Sequence, residues 1–458
     1  SLYIIIIKCF PPRRLNFNLF FIVPRNMALT RSSILRYNSP FFQVGLIGIV
    51  CFCGPGMFNA LSGMGGGGQI DHSAANNANT VLYTFFTIFG ILGGGIYNIL
   101  GPRITLACAC TTYALYTFSF LYYNHHQNQE FVVVSGGILG IGAGLLWAGQ
   151  GAIMTSYPPQ DRKGSYISLF WVIFNLGGVV GGFIPFTMNY NRSDAASVND
   201  GTYISFIFFM VIGSLLSLLI LPSESVIRDD GSRCSTVRYS SVSTEMWEIL
   251  KLFSDWRMLL IVLAAWASNF FYTYQFNNVN GALFTLRTRG LNNVFYWGAQ
   301  MVGSAGIGYV LDFSSKSRRK RGLFGVGLVA AVGTAVWGGG LANQRRYSYE
   351  KEMVPKLDFK DPGARFAGPF CLYVGYGLLD AMFQSTVYWV IGALSNDWQV
   401  LSRFTGFYKG VQSAGGALAW QLDERKVPMM TQLIVNWSLT SLSYPFLSFL
   451  ILLAVEGG

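Results

Sequence analysis

The sequence predicts an all-α membrane protein, with twelve transmembrane helices arranged as two six-helix halves. Three observations carry that prediction. Stretches of about twenty apolar residues recur twelve times, the length that crosses a hydrocarbon core as a helix. Charged residues are only 12% of the 458 residues and hydrophobic ones 52%, whereas a soluble domain carries roughly twice that charged fraction. A hydrophilic segment, residues 222–257, divides the stretches six and six.

The first half holds Phe41–Leu61, Ala78–Leu100, Ile104–Tyr123, Phe131–Met154, Ser165–Met188 and Thr202–Leu221. The second holds Met258–Asn278, Val294–Leu311, Leu323–Leu341, Pro369–Gly392, Phe404–Trp420 and Met430–Leu453. Each is continuously apolar, without the alternation of a barrel strand, so helices are expected. This gives a tail at 1–37, a first bundle at 38–221, a linker at 222–257 and a second bundle at 258–458. Ser, Arg and Asp are frequent in the linker, as in a flexible connection. Met27 reads as a start, which would leave 1–26 outside the native chain.

Orientation follows from Lys and Arg. With the N-terminus cytoplasmic, about 20 basic residues face the cytoplasm and about 11 the other side. Both termini and the linker are therefore expected in the cytoplasm. The net charge of +11 sits in short loops between spans, where topology accounts for it and a nucleic-acid partner is not needed. Asn191-Arg192-Ser193 is a glycosylation sequon on the predicted outer side.

Composition also narrows the chemistry. Cys51, Cys53, Cys108, Cys110 and Cys371 lie inside apolar spans, and the spacing is C-x-C rather than C-x-x-C. His72, His125 and His126 find no third ligand, so no metal site is expected. Gly65–Gly68 follows no strand and precedes no Lys-Ser/Thr pair, unlike a phosphate cradle. No nucleophile–base constellation appears, so neither an enzyme nor a cofactor is expected. In the fourth span Gly136, Gly140, Gly144, Ala148 and Ala152 recur every fourth residue, a ladder that predicts close helix packing.

Charges inside spans are the sharpest functional signal. Such a charge costs on the order of 2.5–3.5 kcal/mol by insertion scales, so it needs a partner or water. Asp380 sits mid-way along the tenth span and Lys409 in the eleventh, and adjacent helices could pair them. Gln384 lies one turn beyond Asp380 on the same face. The seventh span is unusually polar, with Asn269, Tyr272, Gln275, Asn277 and Asn278 toward its end. After the second and eighth spans, glycine-bearing helix ends meet basic turns: Gly94 through Asn98 to Arg103, and Gly308 through Asp312 to Arg318. A short polar group beside Arg at such an end could latch one conformation and release it in another.

That loop pattern resembles the one found in the major facilitator superfamily. A longer resemblance is to the Unc-93-like family in its plant and fungal branch. It is carried by GPGMFNALSGMGGGG at Gly54–Gly68, GIGAGLLWAGQG at Gly140–Gly151, SYISLFW at Ser165–Trp171 with NLGG at Asn175–Gly178, and YKGVQSAGG at Tyr408–Gly416. It implies the twelve-helix facilitator fold. In that fold the first, fourth, seventh and tenth helices line a central cavity. Asn59, Gln150, Asn269, Tyr272, Gln275, Asp380 and Gln384, with Lys409 beside them, would then form one polar site for a small solute or ion. The family also implies a second role, as a non-transporting subunit that regulates or escorts a membrane channel or receptor. A potassium channel is the animal example, and plant relatives are linked to potassium balance. Beyond the bilayer, the expected partners are thus a small solute or ion, or a channel.

Overall fold

The computed structural model describes residues 36–68, 73–159, 162–191, 198–228, 230–234, 241–347, 356–361 and 363–455. The tail with Met27, His72 and the Arg192-Ser193 part of the sequon lie outside them; Asn191 itself is exposed just past the fifth span.

Twelve long helices follow the predicted spans: α1 Pro40–Gly63, α2 Ser73–Leu100, α3 Pro102–His126, α4 Gln129–Ser156, α5 Lys163–Met188, α6 Asp200–Ser217, α7 Trp256–Gly281, α8 Leu286–Phe313, α9 Arg318–Tyr347, α10 Gly363–Ala393, α11 Trp398–Glu424 and α12 Met429–Ala454. Local chemistry sets their ends. The side chains of Ser39, Asn128, Asn199, Asp255 and Asp397 accept the exposed amides that open α1, α4, α6, α7 and α11. Gly101, at φ 76°, turns the chain out of α2, and Pro102 opens α3.

Ten of the twelve are both long and apolar enough to span a membrane. The exceptions are α8 and α11, and the reason is informative: they carry Tyr296, Gln300, Lys409 and Gln412, which are buried against other helices instead of facing lipid. α1 and α7 each contain a wider π-helical stretch, at Phe52–Gly56 and Tyr274–Gly281, and both stretches lie in the protein interior.

In each half, adjacent helices pack into a bundle, α2 on α4 and α3 on α6, α8 on α10 and α9 on α12. Two seams join the halves, α2 with α11 and α5 with α8. Both are backbone-close because glycines face each other. A Cβ on Gly90 would lie 2.9 Å from Gly410 N, and one on Gly94 2.4 Å from Ser402 O. At the other seam, a Cβ on Gly178 would lie 2.4 Å from the Trp297 ring, and one on Gly308 2.9 Å from Gly164 O. The ladder read from α4 has a different address. Gly136, Gly140 and Gly144 press on α2 within the first half, so that ladder is packing inside a bundle.

The linker is not a flexible connection throughout. Val242–Leu252 is a helix, capped by Ser241 and packed on α2 and α11.

Candidate substrate cavity and inter-bundle latches

Between the halves lies a cavity lined by residues of both. Its two walls differ. Among the described residues, the first half contributes seven aromatic rings (Phe58, Tyr83, Phe86, Tyr113, Trp147, Trp171 and Phe174) and a single amide, Asn59. The second half contributes Asn269, Tyr272, Gln384, Lys409 and Gln412.

Behind that second wall sits Asp380, 1% exposed. Its carboxylate accepts three hydrogen bonds, from Tyr272 Oη (2.8 Å), Gln300 Nε2 (2.7 Å) and Gln384 Nε2 (2.6 Å), while Tyr296 Oη stands 3.5 Å away with its one proton on Gln275. An acceptor-only group surrounded by donors suits the ionised carboxylate. Lys409 is buried too, and it does not pair directly with Asp380, contrary to the expectation from adjacent helices. Two glutamines stand between them. Lys409 Nζ donates to Gln412 Oε1 (2.7 Å), Gln412 Nε2 to Gln384 Oε1 (2.9 Å), and Gln384 Nε2 to Asp380. Every donor in this relay points from the ammonium toward the carboxylate. The ammonium otherwise faces rings, with the centroids of Trp147 at 4.4 Å, Tyr388 at 5.3 Å and Tyr408 at 5.4 Å, close enough for cation–π attraction.

Of the eight predicted cavity residues, Asn59, Asn269, Tyr272, Gln384 and Lys409 line the cavity, and Asp380 lies one layer behind. Gln275 accepts from Tyr296 Oη (2.7 Å) and supports that layer from farther back. Gln150 is set aside from the cavity, donating to Met154 Sδ and accepting from Tyr388 Oη (3.5 Å).

Of the predicted latch residues, Asn98 and Asp312 bridge the halves at one end, with partners other than those expected, and Arg103 and Arg318 do not. Asn98, at the end of α2, donates to Glu245 Oε2 (3.3 Å) of the linker helix and accepts from Ser402 Oγ (2.8 Å) of α11. Arg403 grips Glu245 with two hydrogen bonds, 2.8 and 2.7 Å. Arg103 turns away from Asn98 and donates to Ile220 O (3.0 Å) just past α6. At the second seam, Asp312 caps the start of α5, accepting from Gly164 N (2.9 Å), Ser165 N (2.6 Å) and Ser165 Oγ (2.7 Å), where a negative charge meets the positive end of the helix dipole. Arg321 reaches the Asp312 carbonyl at 2.7 Å, while Arg318 opens α9.

The opposite end is closed as well. Asn280 donates to Gly63 O (2.8 Å) and Asn293 to Ala60 O (3.0 Å), tying α1 to α7 and α8. Asn277 bridges Asn76 of α2 and Asp423 of α11, at 3.1 and 2.9 Å. Outside these, Asp358 ties its loop to α8 through Thr285 Oγ1 and Arg287 Nε, both at 2.7 Å. Burial pushes its carboxyl up, but these two donors, the Lys360 amide and the Arg287 charge together outweigh burial and hold it below the usual carboxylate range.

A family model described as "Ion channel regulatory protein UNC-93" matches residues 66–332. UNC93-like protein 1 of Arabidopsis thaliana is 69% identical over 421 residues, 92% of each chain. The chain belongs to the UNC-93 family. A UNC93-like protein of Schizosaccharomyces pombe is 42% identical over 420 residues, covering 91% of this chain and 82% of that one. Among solved structures, the E. coli fucose:proton symporter aligns over 92% of this chain and 99% of that one, with TM-score 0.62 and 11% identity. A D-xylose-proton symporter aligns over 92% and 99%, with TM-score 0.58 and 14% identity. These likenesses establish the major facilitator fold for this UNC-93 protein, a multi-pass integral membrane protein.

Sequence reading missed three parts of this family member's site. Tyr296 and Gln300 lie on α8, whose polarity could have marked it as an interior helix. The α2–α11 seam was written as two G-x-x-x-G pairs, Gly90 with Gly94 and Gly406 with Gly410. Glu245 was hidden because its helix is short and its partner, Arg403, lies 158 residues away.

Proposed function

We propose that this UNC-93 protein is a secondary transporter of a small solute or ion, coupled to a proton or another cation at Asp380. The observation carrying the reading is the glutamine relay between Asp380 and Lys409, which links a fully buried carboxylate to an ammonium that lines the cavity. The directional donors of the relay match one charge state, Lys⁺ and Asp⁻. A proton arriving at Asp380 needs an acceptor. Gln300 Oε1 is buried without a partner, and a half-turn of that amide would present it to the new hydroxyl. The same turn withdraws a donor from Asp380, so a proton at the carboxylate rearranges the layer behind the wall that a solute touches. The fold neighbours described as proton symporters are in keeping with this role.

In this reading residues 38–221 and 258–458 rock as two bodies along the glycine seams. Movement one way breaks Asn98, Arg403 and Asp312 from their partners; the other way breaks the contacts of Asn277, Asn280 and Asn293. We place both termini and the linker in the cytoplasm. In support, basic side chains on that side cap helix C-termini: Arg103 on Ile220 O, Arg228 on Ser156 O, Lys163 on Gly392 O and Arg319 on Val455 O.

A second reading is favoured by the family description and by the crowded aromatic wall: a subunit that binds and regulates a channel and moves nothing itself. Reconstituted vesicles separate the two. Proton- or K⁺-driven flux that is present in the wild type and lost in Asp380→Asn supports transport. Absence of any driven flux in the wild type, with a channel subunit co-purifying, overturns it in favour of the regulator.

A further inference from the structure

The linker helix has three faces. Glu245, Ile249 and Leu252, at i, i+4 and i+7, are buried on α2 and α11. A Cβ on Gly95 of α2 would meet Ile249 Cδ1 at 3.0 Å and Glu245 Cβ at 3.3 Å, so the helix packs tightly on a surface without a side chain. Ser243, Thr244, Glu248 and Lys251 form a polar face, which also carries the exposed Trp247 with the Lys251 ammonium 6.0 Å from its ring. Between these two lies an exposed apolar face: Val242 is 65% exposed, Met246 46%, Leu250 55% and Phe253, just past the helix end, 51%. Soluble surfaces do not keep such a row open to water.

The occupant is indicated by continuity. The apolar face is followed in the chain by the exposed Trp256 and Leu259 at the start of α7, and Ile99 and Leu100, next to the Asn98 that binds Glu245, are exposed as well. An apolar face beside a Ser/Thr/Glu/Lys face, on a helix lying across the ends of spans, has the build of an interfacial amphipathic helix. Its protein-facing side carries Glu245, whose two hydrogen bonds to Arg403 and one from Asn98 clasp α11 to α2.

We propose that this helix lies in the bilayer leaflet on the linker side, with Val242, Met246, Leu250 and Phe253 in lipid, and that this seating holds the Glu245 clasp shut. The bilayer thereby acts on the seam between the halves. Parting α2 from α11 requires Arg403 to leave Glu245, and a helix anchored in lipid does not follow it. Loosening the anchor frees the helix to tilt and lowers the hold on both partners.

The test uses the full chain in nanodiscs. Cys9, Cys108 and Cys371 are first replaced by alanine. Single cysteines are then placed at Leu250 or Lys251 and labelled with an environment-sensitive fluorophore. Nitroxide-bearing lipid should quench the label at 250 at least threefold more than at 251; equal quenching at the two positions overturns the lipid seating. Hydrogen exchange over residues 398–406 reads the clasp. Glu245→Gln should speed exchange there about tenfold, at 1.36 kcal/mol per decade for a weakened charged pair. Leu250→Lys, which touches neither Arg403 nor Asn98, should speed it several-fold in nanodiscs, while α9 stays at the wild-type rate. Unchanged exchange at 398–406 in Leu250→Lys overturns the coupling.

Discussion

The two walls of the cavity are built from different chemistry. The first half presents rings, and among the described residues a single amide; the second presents an ammonium, three amides and a tyrosine hydroxyl, with a carboxylate behind them. Rings give shape and stacking area at little desolvation cost, whereas buried charge must be held by a complete set of partners. That set lies wholly in the second half, on α7, α8, α10 and α11, so the charge network can stay intact while the halves move. Among the described residues, one ring contact crosses to these charges from the other wall: Trp147 of α4 over Lys409. The difference is a division of chemistry, in which one half holds the charges and the other lays a ring face over the ammonium.

The most severe break of this picture is Asp380→Asn. The side chain keeps its size, but Lys409 loses its counter-charge through the relay. Removing one member of a buried charged set costs about 3–5 kcal/mol, so thermal unfolding should drop and coupled flux in vesicles should fall by roughly a hundredfold or more. Adding Lys409→Gln should restore much of the stability without restoring flux. A single variant with normal coupled flux would remove Asp380 from the mechanism.

Gln384→Leu should come next. It cuts the relay while leaving both charges in place, stranding the Gln412 amide that donates to it and taking one donor from Asp380. A buried group left unsatisfied costs about 1–3 kcal/mol, and flux should fall by about tenfold. Flux equal to wild type would mean that the two charges act separately and that the relay is only packing.

How far these features could be read in advance differs by type. Helices were legible because a bilayer imposes length and apolarity on each span independently. Asp380 and Lys409 were legible because a charge inside such a span stands out. Their separation by two glutamines was not, since Gln412 lies 28 residues from Gln384 and only packing sets the distance. Asn98 and Asp312 were found by their places after equivalent helices, yet their partners were not, because a latch is a contact between halves and leaves no local pattern. Glu245 sat in a segment whose composition reads as flexible. Its Glu245 and Ile249 are held by Arg403 and Gly95 from elsewhere, a case of tertiary contact overriding local composition.

Trp147→Leu tests the ring contact that crosses the walls. A cation–π contact is worth about 0.5–2 kcal/mol depending on desolvation, so the variant should lose a few-fold to about tenfold in apparent affinity, with the pH dependence of flux unchanged. A shifted pH profile would show that the first half tunes the charges as well as covering them, and the division between the walls would be too strict.

Asn59→Ala should do least, and for that reason it sharpens the comparison most. Asn59 is half-buried, faces the cavity and makes no hydrogen bond among the described residues. Removing it strands no partner, so unfolding should be unchanged within about 0.5 kcal/mol, as for a substitution without a buried contact. If the first wall supplies only shape, apparent affinity for the transported solute should also stay within about twofold. If affinity falls tenfold at unchanged stability, about 1.4 kcal/mol, the free amide is reserved for the ligand. The solute would then be gripped by hydrogen bonds from both halves at once, and its own binding would pull the halves together.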